Sequence, residues 1–400
     1  MAIRDLRLRT LPTIRQRLAE RPAELAAARA TGAKIVGIQG YSLPEELITA
    51  LGLVPVRIGF GGSDRLVELG SRYISTKNCV YVRETVGLFA DGSDPYVANS
   101  DVFAFDATCL QTYRTAEVVR HYFGKDVLIV GVPRNFYLDE ANVYFAKELR
   151  HFVERLETFA GARLTTEKLA EAIALHDAIR AEILAIYAYQ AVRQPLVTWE
   201  EVFDVIQAGY VLDRREYLGL LRELHAELAA AQGAAVVAKS HDEARIFLSG
   251  SVIPPGDKKL ISIIQDLGGR IVGDDLWSGL IPYVDVDIKE PTIEAVARAY
   301  LHRTPHGALP YLDLKTDRRI ARLKSLIATF KAEGVIYHTL RYCDPYSFKA
   351  KETKDILEKE GIPLMELHTE YAGSDVEAIR TRVEAFIEMI TFKSAKGAAA

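Results

Sequence analysis

The chain has 400 residues, 49% hydrophobic and 26% charged, and its 50 Lys and Arg nearly balance its 54 Asp and Glu, for a net charge of −4. That balance excludes the basic footprint of a nucleic-acid binder or a polybasic membrane patch, and no apolar run approaches the roughly 18 residues of a membrane span. The length exceeds what a single core usually serves, so two domains are expected.

Residues 1–30 alternate Arg with apolar residues on a helical period and predict an amphipathic first helix. A transit peptide is the alternative, disfavoured by Asp5, Glu20 and Glu24. From 31 to 137 the chain reads as a first α/β domain. "KIVGIQGYSLPEELITALGLVPVRIG" (34–59) runs strand, turn, amphipathic helix, strand, and "DVFAFDATCLQTYRTAEVVRHYFGKDVLIVGVP" (101–133) repeats that order. Residues 138–240, rich in Ala, Leu, Glu and Arg, predict a helical linker or lid. A second α/β domain over 241–390 repeats the first pattern in "RIFLSGSVIPPGDKKLISIIQDLGGRIVG" (245–273) and "GVIYHTLRYCDPYSFKAKETKDILEKEGIPLMELH" (334–368). The tail 391–400 is low-complexity and expected to be disordered. Short apolar strands alternating with helices predict two doubly wound parallel-sheet, flavodoxin-like domains joined by a helical segment.

Three cysteines in so long a chain argue against a disulfide scaffold and for a reducing, cytoplasmic setting. Cys109 follows the strand 102–107 and Cys343 follows the strand 335–340 at the corresponding place in the second half. Cys79 sits in a loop with a helix starting behind it. Ligands of open α/β sheets bind at the carboxyl ends of strands, and a thiol before a helix N-terminus should have a lowered pKa. Three thiolates converging in a cleft would suit zinc or an iron–sulfur cluster, although their separations match neither a structural zinc site nor a ferredoxin run. A cubane held by three thiolates would keep one iron open. The alternative is that each cysteine simply fills the core as a small hydrophobe.

Other polar groups fall near the same strand ends. Ser42 and Glu45 in "GYSLPEE" have the spacing of a capping box, with Pro44 in the first turn. Asp274 and Asp275 in "GDDLWSG" follow a strand and would cap the next turn or orient a ligand. His368 and Glu370 lie beyond the last strand as candidate acids or bases. No G-x-G-x-x-G follows a strand, and neither a phosphate-binding G-x-x-x-x-G-K-[ST] nor a G-x-S-x-G elbow is present. The Gly-rich "IGFGGSDR" (58–65) lacks the phosphate-loop lysine and reads as a turn.

Taken in order, "GYSLPEELITALGLVPVRIG", "STKNCVYVRETVGLFADG", "VFAFDATCLQTYRTAE", "SGSVIPPGDKKLISIIQDLGGRIVGDDLWSG", "GVIYHTLRYCDPYS" and "GIPLMELHTEY" resemble the motif series of the 2-hydroxyacyl-CoA dehydratase D-component family, which also contains benzoyl-CoA reductase cluster subunits. The resemblance implies a 4Fe-4S cluster held between two α/β domains by Cys79, Cys109 and Cys343, with one iron not ligated by cysteine. It implies an acyl-CoA substrate, a homologous second subunit in a heterodimer or a homodimer, and a separate ATP-dependent iron–sulfur activator. The implied reaction eliminates water from a 2-hydroxyacyl-CoA through a ketyl radical after one-electron activation. A reductase acting on an acyl-CoA, or a non-catalytic protomer that holds a cluster or supports its partner, are the alternatives. By the same resemblance Ser42 would hydrogen-bond the oxygen ligand at the open iron, and Glu45 or Glu46 would handle protons. Asp344 and Pro345 match the family's Cys-Asp-Pro turn and would fix the direction of the Cys343 thiolate, with Asp274 and Asp275 supporting from behind. The basic residue that the family often carries after "GDDLWSG" is replaced here by "GLIPY", which leaves substrate contacts there unassigned.

Overall fold

A computed structural model describes residues 8–59, 61–192, 195–232, 243–303 and 317–398. Two four-stranded sheets, every pairing parallel, form its frame. The first contains β1 (Ile35–Gln39), β2 (Val54–Arg57), β3 (Val102–Ala107) and β4 (Val127–Gly131) in the order β2-β1-β3-β4. The second contains β5 (Ala244–Gly250), β6 (Gly269–Asp274), β7 (Gly334–Leu340) and β8 (Leu364–Thr369) in the order β6-β5-β7-β8. The two halves therefore share one topology, and the strand order reverses between β1 and β3 in one sheet and between β5 and β7 in the other.

The strands form where the sequence is continuously apolar, because helices cover both faces. β1 and β7 are buried along their whole length, whereas the edge strand β8 exposes His368 and half-buries Met365 and Glu366. One face of the first sheet packs Val36, Ile38 and Ala104 against Leu47, Phe145 and Leu149. The other packs Phe103 and Phe105 against Phe89, Ala116 and Val119. The second sheet shares its core with the N-terminal helix Thr10–Ala30 and with the helices Thr166–Ala188, Trp199–Ala208 and Arg214–Gln232 that join the halves.

Two expectations change. The helix Ile293–His302 lies within 241–390, yet it packs on the first domain. Its buried Val296, Ala297 and Leu301 join the core of Phe145 and Leu149, and His302 meets Asn142 at 2.8 Å. Its apolar stripe finds a match in the helix Asp139–Ala160, and it straps the two halves together. The tail also departs from expectation, since the helix Val376–Ala398 continues through most of 391–400. Ala and Lys are good helix formers, so a helix already docked through Ile379, Val383 and Ile387 propagates at little cost. Residues 1–7, 233–240, 399 and 400, which belong to the expected first helix, linker and tail, lie outside the described residues.

Gly61 and Gly62 make a contact between the domains. A Cβ on Gly256 would lie 1.7 Å from the Gly61 carbonyl oxygen, so the two backbones meet where only glycine fits. Behind these glycines Glu84 is fully buried. One carboxylate oxygen accepts the Ser63 N–H at 2.8 Å, and the other has no partner among the described residues. Burial pushes this carboxyl up to about 8. An unfolded Glu ionises near pH 4.3, so between that pH and 8 the folded chain keeps a proton that the unfolded chain has lost, and stability falls as pH rises through this window. Glu84→Gln keeps the acceptor and removes the titration. We expect its urea midpoint to exceed wild type at pH 7.5 and to match it near pH 4; equal midpoints at both would show that Glu84 does not hold a proton.

Candidate functional site

The three cysteines come from three loops and line one cavity between the sheets, together with Gln39, Asp106, Thr108, Val252, Trp277 and Tyr346. Each is the residue that begins a helix: Cys79 precedes Val80–Asp91, Cys109 precedes Leu110–Phe123, and Cys343 precedes Asp344–Lys359. Cys109 and Cys343 follow β3 and β7, beside the two reversals in strand order, where a crevice opens at the carboxyl ends. Pro345 in the first turn of the Cys343 helix supplies a preset φ and no N–H to satisfy.

The thiols do not all behave as their positions suggest. The Cys109 Sγ accepts the Thr112 N–H at 3.3 Å and meets the Thr112 hydroxyl at 3.2 Å. Its pKa is nevertheless raised, because burial outweighs the helix terminus. Cys79 and Cys343 line the same cavity. The neighbouring Cys343 thiol and the Tyr81 and Val82 N–H groups lower Cys79 against the effect of burial, while the neighbouring Cys79 thiol, together with burial, raises Cys343. Among the described residues no three His, Cys, Asp or Glu groups gather as ligands of a single metal ion. Zinc would need them all within about 2.3 Å of one point. Three soft donors line one cavity with three helix N-termini behind them, a donor set whose chemistry suits a sulfur-liganded anionic group. Trp277 closes the apolar side, with its ring 5.0 Å from Tyr81 and 6.4 Å from Tyr41.

The carboxylates of the helix Glu45–Ala50 lie elsewhere. Glu45 is buried between Arg57 at 2.8 Å and Arg214 at 2.7 Å. Although burial would push it up, Arg214 and Arg57 hold it at about 2. Glu46, also buried, meets Arg180 at 2.8 Å and accepts the Tyr300 hydroxyl at 2.8 Å; Arg180 keeps its pKa low against the effect of burial. Neither carboxylate reaches the thiol cavity, and both stay ionised, so the expected proton role passes away from them. The expected capping box is also absent: the helix begins after Pro44, and no side chain caps it. The Glu45 carboxylate that would have closed the box is committed to its arginines. Ser42 stands one step behind the cavity, its N–H donated to Asp106 at 2.9 Å.

Asp274 is a core group rather than a ligand of the cleft. It accepts hydrogen bonds from the Tyr187 hydroxyl, from Trp199 Nε1 at 2.9 Å, and from the N–H groups of Leu276 and Leu280, both at 3.0 Å. Asp275 points the other way, into a small cavity of about 60 Å³ lined by Tyr41, Tyr337, Arg319 and Lys349; this cavity shares Tyr346 with the thiol cavity. Burial pushes Asp275 up to about 7 and Lys349 down to about 7. Asp344 is exposed in the first turn of its helix. His368 bonds Thr339 at 2.6 Å and Glu366 at 2.7 Å, and Glu370 pairs with Arg341 at 2.9 Å; neither lines the cavity.

The sequence reading missed Asp106, Gln111, Trp277 and Lys349. Asp106 carried a signal, being the one charged residue in the apolar run of β3 and three residues before Cys109. It is fully buried, and it accepts the Thr108 hydroxyl at 3.0 Å in addition to the Ser42 N–H. A Cβ on Gly40 (φ +103°) would lie 2.2 Å from its carboxyl carbon, so glycine is required there twice over.

Two facing open sheets with a thiol-lined cleft at their reversal points define the class: a two-sheet α/β protein whose ligand site lies between its halves. Residues 41–390 match the model of the family described as 2-hydroxyglutaryl-CoA dehydratase, D-component, and the chain belongs to that family. It is 23% identical to the (R)-phenyllactyl-CoA dehydratase beta subunit of Clostridium sporogenes, over 90% of this chain and 92% of that one. A benzoyl-CoA reductase subunit of Thauera aromatica is 25% identical over 89% and 91%. The (R)-2-hydroxyglutaryl-CoA dehydratase beta subunit of Acidaminococcus fermentans is 24% identical over 92% and 95%. No helix among the described residues is long and apolar enough to cross a membrane.

Proposed function

We propose that this chain is the iron–sulfur subunit of a 2-hydroxyacyl-CoA dehydratase, with Cys79, Cys109 and Cys343 holding a 4Fe-4S cluster that has one iron free of cysteine. The observation that carries this reading is the convergence of all three thiols, each at a helix N-terminus, on one cavity. When bound, such a cluster supplies one-electron transfer and a Lewis-acidic iron. Around it the chain provides preorganised N–H groups that offset negative charge on sulfur, and Trp277, Tyr81 and Val252 keep water from the cavity. Proton handling falls to Asp275 and Lys349 in the adjoining cavity, since both carry near-neutral pKa values there while Glu45 and Glu46 are locked in ion pairs. Asp106 orients the Ser42 segment through the Ser42 N–H.

A partner subunit fits the apolar rim above the thiols, where Leu110 (76% exposed), Phe348 (76%), Tyr113 (44%) and Tyr342 (40%) face outward. The electron would come from a separate ATP-dependent iron–sulfur activator. The three free cysteines favour a reducing, cytoplasmic setting. The reductase reading is favoured by one observation, that the Thauera aromatica reductase protein is as similar to this chain as the dehydratase proteins are. Anaerobic assays of the chain with a partner subunit and an activator separate the two. We expect loss of water from a 2-hydroxyacyl-CoA; reduction of benzoyl-CoA without that dehydration would assign the reductase, and neither activity would leave a non-catalytic protomer.

A further inference from the structure

Gln111 lies in the first turn of the Cys109 helix, and its one side chain touches the loops of both other cysteines. Its Oε1 accepts the Cys79 N–H at 2.6 Å, and its Nε2 donates to the Tyr342 carbonyl at 3.0 Å. The orientation of the amide is unambiguous, because an N–H can only donate and a carbonyl can only accept. Tyr342, immediately before Cys343, has a left-handed backbone (φ +65°) and a 40% exposed side chain, so side-chain packing does little to hold this turn. Such a conformation is strained for a non-glycine residue and persists only where its surroundings hold it. The turn closes on its own bond from the Cys343 N–H to the Leu340 carbonyl at 3.0 Å, and the Gln111 bond to the Tyr342 carbonyl ties it to the facing domain. A second, longer bond from the Val80 N–H to the Arg341 carbonyl, at 3.4 Å, runs alongside.

We infer that Gln111 is the positioning residue of the thiol site, an amide clamp that sets the Cys79 loop of one domain and the Cys343 turn of the other against the Cys109 helix. The inference rests on the reading that the three thiols serve one ligand. Cohesion of the domains does not depend on the clamp, since the Gly61–Gly256 contact and the Ile293–His302 strap join them elsewhere. The clamp therefore acts on thiol geometry more than on stability. Glutamate at 111 would keep the acceptor but lose the donor to Tyr342, and leucine would lose both.

The test uses the full chain without metal and phenylarsine oxide as the probe, which forms two As–S bonds with a close pair of thiols and releases water. We expect wild type to capture one arsenical per chain through Cys79 and Cys343. Gln111→Glu and Gln111→Leu should need about tenfold more probe, the scale of one or two lost hydrogen bonds, with Tm within a few degrees of wild type. Gln111→Leu combined with Tyr342→Gly should regain most of the capture, because glycine adopts the left-handed turn without a clamp. Undiminished capture by the Gln111 variants, losses that only follow a fall in Tm, or no rescue by Tyr342→Gly would each overturn the clamp. No capture by wild type would overturn the shared thiol site and the clamp with it.

Discussion

Glu45→Ala should destabilise the chain by about 3–5 kcal/mol, the usual cost of leaving a buried charge without its partner. Here one deletion strands two cations: Arg57 and Arg214 are both buried and both spend their guanidinium groups on this carboxylate. These side chains join the helix Glu45–Ala50, the end of β2 and the start of the helix Arg214–Gln232, so the loss is felt at the junction of the first sheet with the helical segment. Glu45→Gln should cost less, because an amide still accepts one of the guanidinium hydrogen bonds. Urea unfolding gives the comparison directly. A loss below about 1 kcal/mol for Glu45→Ala, the scale of an exposed ion pair, would mean that the arginines find solvent and that the carboxylate is not structural, which would reopen a chemical role for it.

Cys109→Ser is expected to have the largest functional effect. Serine oxygen is a hard, poorly acidic donor and a weak substitute for thiolate on iron, so iron bound per chain after anaerobic reconstitution should fall several-fold. The fold should survive, because the serine hydroxyl can accept the Thr112 N–H that the sulfur accepts now, and serine is a favoured N-cap. The Tm of the metal-free variant should therefore stay within a few degrees of wild type. Unchanged iron content with an intact fold would remove Cys109 from the site.

How much of this was legible in the sequence depends on the range of the interaction that decides each feature. The strands β1, β3, β5 and β7 and their helices are local patterns, and placing Cys109 and Cys343 at strand ends needed only those patterns. The common topology of the two halves was visible for the same reason. The roles of Glu45 and Glu46 were not, because the residues that settle them lie 169 and 134 positions away in Arg214 and Arg180. Local spacing favoured a capping box; the arginines outcompeted it. Asp274 is decided by Tyr187 and Trp199, 87 and 75 residues earlier, which turned a candidate ligand into a core acceptor. The helix Ile293–His302 shows its apolar stripe in sequence but not the domain that receives it. The expected lowering of thiol pKa holds at Cys79 and fails at Cys109 and Cys343: the helix-terminus effect is local and readable, whereas the burial that outweighs it at Cys109 belongs to the assembled cleft.

The central claim is that three thiols at three helix N-termini hold a cubane, and the most direct measurement is iron and acid-labile sulfide, with an absorption spectrum, on the chain purified without oxygen. About four of each per chain and broad charge-transfer absorption are the predicted result. Protein that stays free of iron and sulfide even after anaerobic reconstitution would contradict it, and would make Cys79, Cys109 and Cys343 buried side chains of a family fold that has kept its shape without its metal.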